Sequence, residues 1–258
     1  MGLDDVVHVW RIPLLGVPPG DPDPERLLDP GERRRADRLG DARLRRRYVH
    51  AHGTSRLILG GYLGLPPREV TWCRGQHGKP ALAGRPEVKF NLSHSADLAL
   101  LAITRSRETG VDVENLARQD PGAALPADRL AGRFYPPTEA TRVGRARGPA
   151  LDWWYLRLWT RKEACVKASG GRLVQGLPVR VGAGQPAHGY GLRCSGEAGM
   201  PGPWVVRDVS LGDGHVAAVA LTGTTEYRVV VRTWLGLRRF GLDQPLPERD
   251  RHREGAVR

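Results

Sequence analysis

Apolar and polar positions alternate or cluster along the chain in blocks that predict a mixed fold. Val6 to Ile12 (VVHVWRI) reads as a strand, and a Pro-rich stretch of turns follows from Pro13 to Pro30. Tyr48 to Leu63 has the apolar spacing of a helix, with Gly53 and Gly60 as points of close packing, and Gly64-Leu65-Pro66-Pro67 stops it. Short strands are predicted at Val70–Cys73 and Val88–Leu92. The continuous run Leu98–Ile103 predicts another, although its continuity suits a buried helix as well. Gly110 to Glu114 alternates and reads as a strand.

Asn115 to Ala127 is polar and punctuated by Pro and Gly, so a linker or crossover is placed there. A second helix is predicted from Pro149 or Leu151 to Ser169, ended by Gly170-Gly171. Strand-like pieces follow at Pro178–Val181, Trp204–Val209 and Val216–Leu221, and the tail from Gln244 has almost no core-forming residues and reads as disordered. Helix then strands, twice over, implies an α+β fold of two similar halves. Boundaries are placed at 1–105, 106–223 and a partly disordered extension at 224–258.

Composition narrows the class. At 258 residues with 40% apolar content, the chain can build a packed core. No apolar run is long enough to span a bilayer, the N-terminus lacks a signal-peptide pattern, and Cys73, Cys165 and Cys194 form no C-x-x-C pair. A soluble cytoplasmic protein without membrane partners is therefore expected. The net charge of +12 suggests an acidic or phosphate-rich partner. The 40 cations include only four lysines, Lys79, Lys89, Lys162 and Lys167. A general arginine bias therefore explains much of the charge. Gly31–Arg47 holds eight Arg and reads most simply as a solvated helix surface.

Candidate chemistry collects in four places. In Gly110-Val111-Asp112-Val113-Glu114, the two carboxylates share one strand face, with Cα atoms roughly 6.5–7 Å apart. Paired oxygens of this kind suit Mg²⁺, whereas the plainer reading is an amphipathic strand with a wet face. On the second long helix Trp159, Glu163 and Lys167 lie along one stripe. The default there is an ordinary i, i+4 ion pair; the sharper reading is a Glu that takes a proton or joins a metal, and a Lys placed for phosphate charge. Phe90-Asn91-Leu92-Ser93-His94-Ser95 offers hydroxyls and an imidazole to an anion, and Gly78-Lys79-Pro80 is a tight turn carrying a cation.

Together, HGKP, FNLSHS, TGVDVE and LWTRKEACVKASGGRL resemble, in order, the motifs of the 4′-phosphopantetheinyl transferases, most closely the two-domain, Sfp-type group. Arg133-Phe134-Tyr135 is similar to that family's R-F-F segment, and the likeness extends over roughly residues 6–222. The resemblance implies two α/β subdomains in a pseudo-twofold arrangement, the first contacting the 3′-phosphate and adenine of coenzyme A and the second holding the metal and catalytic residues. It implies transfer of 4′-phosphopantetheine from coenzyme A to a serine hydroxyl of an apo acyl or peptidyl carrier protein, releasing 3′,5′-adenosine bisphosphate. Asp112, Glu114 and Glu163 would hold Mg²⁺, with Mn²⁺ as the other candidate. Asp112, Glu163 and Lys167 would carry catalysis, Glu163 as general base for the serine. Ser93 and His94 would meet the phosphates, Arg56 would grip the 3′-phosphate, Gly78, Lys79 and Pro80 would lie along the adenine and ribose, and Lys162 and Lys167 would supply cations. Val113, between the carboxylates, offers a metal nothing, which raises the weight on Glu163 or on an extra water.

The basic charge would steer a carrier domain with an acidic surface, and two fused halves imply a monomer. The competing class is a basic nucleic-acid-binding module. Gly31–Arg47 contains no aromatic to stack on bases, which counts against it, so no nucleic acid is expected as a partner. A non-catalytic carrier-binding relative is the other alternative, and the intact Asp112, Glu114, Glu163 and Lys167 set argues against that.

Overall fold

The structure is a computed structural model of the chain, describing residues 6–75, 78–105, 107–117, 126–182, 191–197, 200, 202–212 and 214–237. The expected disordered tail from Gln244, and residues 118–125 of the expected linker, lie outside these. Contacts divide the chain into two compact units, Met1–Pro13 with Trp72–Trp234, and Leu14–Thr71 with Leu235–Arg258. The boundary expected at 105/106 falls inside the first of them.

That first unit holds two four-stranded sheets. One has the order β10-β1-β5-β4, from β1 (Val6–Pro13), β4 (Val88–Ser95), β5 (Leu98–Arg105) and β10 (Arg228–Thr233). The other has the order β6-β9-β8-β7, from β6 (Thr109–Asn115), β7 (Leu192–Cys194), β8 (Trp204–Asp208) and β9 (His215–Thr222). A small hairpin joins β2 (Trp72–Arg74) to β3 (Pro80–Leu82). Alternation along the strands builds the core. Val7, Val9, Leu98, Leu100, Val111, Val113, Ala217, Val219 and Leu221 form one apolar cluster drawn from both sheets. The opposite face of β9, Ala218 and Ala220, joins Leu158, Cys165 and Val166 in a second cluster.

The helix in that second cluster is α5 (Pro149–Ser169), which starts with Pro in its first turn and ends at Gly170 in the left-handed conformation, φ 64°. Ala131 and Val143, from α3 (Ala127–Phe134) and α4 (Pro137–Arg145), complete the layer. Each buried Val or Leu side chain among them contributes roughly 1.5–3 kcal/mol by burial. Asp208, at the end of β8, accepts hydrogen bonds from Arg157 and Arg161 of α5 and so fixes the helix against the second sheet.

Two expectations change. Pro178–Val181 is not a strand. It follows α6 (Leu173–Gly176), and the N–H of Val181 donates to the Glu139 carboxylate at 2.6 Å rather than to a neighbouring strand. Finally, within the expected extension at 224–258, residues 228–233 form β10, paired in parallel with β1.

The second unit is helical, with α1 (Pro30–Asp37) and α2 (Ala42–Leu63). Asp29 and Glu32 form a reciprocal capping box at the start of α1, and Asp41 caps α2. The basic stretch 31–47 is thus split between two helices. Gly53 is a close-packing point as expected, since a Cβ there would lie 2.6 Å from Pro24.

Candidate active site

Gly110 brings the two chemistry-bearing elements together. A Cβ at this position would lie 2.1 Å from the Ala164 carbonyl oxygen and 2.4 Å from the Ala168 nitrogen. Only glycine lets the backbone of β6 lie directly on that of α5. With Val111 and Val113 turned into the inter-sheet core, Asp112 and Glu114 share the face on which Gly110 meets the helix.

A ladder of side chains from β4 fixes the carboxylates. Asn91 Oδ1 accepts the Val111 N–H at 2.9 Å. Ser93 Oγ donates to Asp112 Oδ1 at 2.8 Å, and Ser95 Oγ donates to Glu114 Oε2 at 2.8 Å while accepting the Asn115 N–H at 3.2 Å. Asn91, Ser93 and Ser95 are two residues apart, so all three project from one face of β4. The roles of Asn91 and Ser95 were missed in the sequence; their period of two in FNLSHS was the available signal.

From α5, Lys167 Nζ donates to Asp112 Oδ1 at 2.6 Å and to Ser93 Oγ at 3.0 Å, and lies 4.0 Å from Glu163 Oε2. Asp112 is 4% exposed, and its other oxygen, Oδ2, is buried with no hydrogen-bond partner. Burial pushes the Glu163 carboxyl above its ordinary pKa; Lys167 opposes this, and repulsion from Asp112 and Glu114 adds to it. Three carboxylates therefore feel one another around one ammonium. They are not gathered into a finished metal cage, however. Among the described residues no group of three or more His, Cys, Asp or Glu is placed to hold an ion. The strand and the helix each hold their carboxylates to a local partner, and Lys167 supplies the nearest positive charge.

Beside the end of α5 lies a cavity of about 440 Å³, lined by Lys79, Pro80, Leu82, Arg85, Lys89 and Phe90 among others. Gly78, with φ 82°, makes the turn that presents Lys79 and Pro80. The Lys79 ammonium is engaged by protein oxygens: Glu108 Oε2 at 2.7 Å, the Thr109 carbonyl at 3.1 Å and the Ala168 carbonyl at 2.8 Å. His94 is exposed, on the opposite side of β4 from Ser93.

Two residues expected to contact the ligand, Lys162 and Arg56, meet protein groups here. Lys162 is fully buried; its ammonium pairs with Glu139 at 2.7 Å, donates to the Val179 carbonyl and sits 4.8 Å from the centre of the Tyr135 ring. Arg56, 1% exposed within the helical unit, donates to Glu32 Oε2 and Asp29 Oδ2 at 2.7 Å each and to the Val70 carbonyl at 2.7 Å. Both cations already have buried anionic partners, which a phosphate would have to displace.

A family profile described as the 4′-phosphopantetheinyl transferase superfamily matches residues 108–219, the segment that carries β6 and α5. The chain is 34% identical over 224 residues to the 4′-phosphopantetheinyl transferase HetI of Nostoc sp., covering 86% of this chain and 90% of that protein. It is 26% identical over 197 residues to a 4′-phosphopantetheinyl transferase of Bacillus subtilis, covering 72% and 77%. To the 4′-phosphopantetheinyl transferase AcpT of Salmonella typhi it is 36% identical over 124 residues, covering 48% and 60%.

Proposed function

The chain belongs to the 4′-phosphopantetheinyl transferase superfamily, and we propose on that premise that it moves the 4′-phosphopantetheine of coenzyme A onto a serine hydroxyl of an apo acyl or peptidyl carrier protein, leaving 3′,5′-adenosine bisphosphate. The observation that carries this reading is the unbalanced charge at the β6–α5 contact: Asp112 with an unpartnered buried oxygen, beside Glu163 whose proton affinity is raised.

The donor set suits a hard divalent ion. Asp112, Glu114 and Glu163 are oxygen ligands, and Asp112 Oδ2 lacks a partner that a cation would supply. A bound Mg²⁺, or Mn²⁺, would offset the charge of the diphosphate. Glu163, its proton affinity raised by burial, takes the proton of the attacking serine. Lys167, held by Asp112 and Ser93, faces the negative charge that develops on the 5′-phosphate of the departing 3′,5′-adenosine bisphosphate as the diphosphate bridge breaks. Leu82 and Phe90 give the neighbouring cavity an apolar wall for adenine, and the exposed Arg85 and His94 would meet phosphates. The reading includes a monomer working in the cytoplasm. No described helix is long and apolar enough to cross a membrane, and the net charge of +12 would draw an acidic carrier toward the enzyme.

The test is incubation with coenzyme A, Mg²⁺ and a panel of apo carrier proteins, read by intact mass. A gain of one phosphopantetheine that chelation abolishes is the expected result. No gain on any carrier would reject the reading.

A further inference from the structure

We propose that Lys79 is a positioning residue whose ammonium clamps the start of β6 to the end of α5, and so sets how Asp112 faces Glu163 and Lys167. The proposal rests on reading that contact as the transfer site. It gives the lysine of the G-K-P turn a part different from touching adenine or ribose.

An ammonium has three N–H donors, and here each has a protein acceptor. Thr109 is the first residue of β6, three positions before Asp112. Ala168 directly follows Lys167, and its carbonyl is among the last of α5, which have no partner within the helix. A cation there also complements the negative end of the helix dipole. The third acceptor, Glu108, is gripped from its other side by Lys89 at 2.7 Å, so the residue leading into β6 is held by two lysines. Gly110 lies between Glu108 and Asp112, where the two backbones touch. One side chain thus ties together both elements at the point where their separation decides the geometry of the charges. Lys79 also lines the cavity, so the clamp forms part of its wall.

The test uses the full chain with Lys79→Met, which keeps the aliphatic stem and removes the donors. At saturating coenzyme A, kcat should fall about 10- to 100-fold, the scale of a misplacement near 1 Å, while KM for coenzyme A stays within about threefold. Hydrogen exchange at amides 109–112 and 166–170 should speed up in the same variant. Lys79→Arg restores donors and should recover part of kcat. If Lys79→Met does not fold, the arginine variant decides by the same readouts. An unchanged kcat overturns the proposal, as does unchanged exchange at those amides. A rise in KM alone would return Lys79 to ligand binding. Absence of transfer by the unaltered protein would sink the functional reading and leave the exchange measurement to judge the clamp.

Discussion

Helix α5 carries two lysines five residues apart, about 140° around its axis, and their surroundings differ in kind. Lys162 lies in a closed set. Its charge is matched by Glu139, whose other oxygen holds the Val181 N–H, and the Tyr135 ring covers it. Lys167 lies in an open one. It serves Asp112 and Ser93, stays 4.0 Å short of Glu163, and leaves Asp112 Oδ2 without a partner. The closed set has its charges matched within the protein. The open set keeps an unsatisfied carboxylate oxygen buried beside a rigid strand–helix contact, the condition under which a cation gains most by arriving.

The largest break in that comparison is Asp112→Ala. It removes both the orphaned oxygen and the anchor of Lys167, so transfer should fall about a thousandfold or more, equivalent to about 4 kcal/mol of barrier. Near-normal turnover by mass spectrometry would show that the open set is not the reaction centre. Glu163→Gln is next. It keeps the shape of the side chain and removes its basicity, so kcat should drop about 10²- to 10⁴-fold with KM for coenzyme A changed only severalfold. A raised KM at normal kcat would make Glu163 a binding group only.

The elements of the open set were legible because they follow local rules. GVDVE alternates, α5 repeats every 3.6 residues and stops at Gly170, and both periods place their charges without knowledge of the partner. The closed sets were not legible. Glu139 is 23 positions before Lys162, and Arg56 meets anions 24 and 27 positions earlier, so no spacing along either helix reveals them. The helices α3 and α4 were hidden for another reason. Pro126 closes the stretch read as a linker and Pro136-Pro137 look like a further break, yet all three stand at helix starts, where proline is tolerated. Strand β10 is an edge strand whose partner, β1, lies more than 200 residues away in the chain, so its Val229–Val231 run had no local context.

The closed set is tested through stability. Lys162→Met leaves the Glu139 charge buried without its cation and should destabilise the protein by about 3–5 kcal/mol in denaturant unfolding. Adding Glu139→Gln should recover part of the loss, because the unpaired charge goes with it. The folded Lys162→Met protein should retain its KM for coenzyme A. A selective rise in KM without loss of stability would move Lys162 to the ligand side.

Acid gives the gentlest discrimination, in the helical unit. Burial works to raise the Glu32 pKa, but hydrogen bonds from His52 and the Asp29 backbone, with the Arg56 cation, outweigh it and hold the group down to about 2 from 4.5. A carboxyl depressed on folding contributes stability that is complete above its unfolded value. That contribution is lost as pH falls through the folded value. The difference corresponds to about 3 kcal/mol. Glu32→Gln should therefore be less stable than the unaltered protein by about that amount at pH 7, and the two should converge between pH 4.5 and about 2. A gap that stays constant over this range would mean that Glu32 contributes by shape and hydrogen bonding alone, and that Arg56 does not depend on its charge.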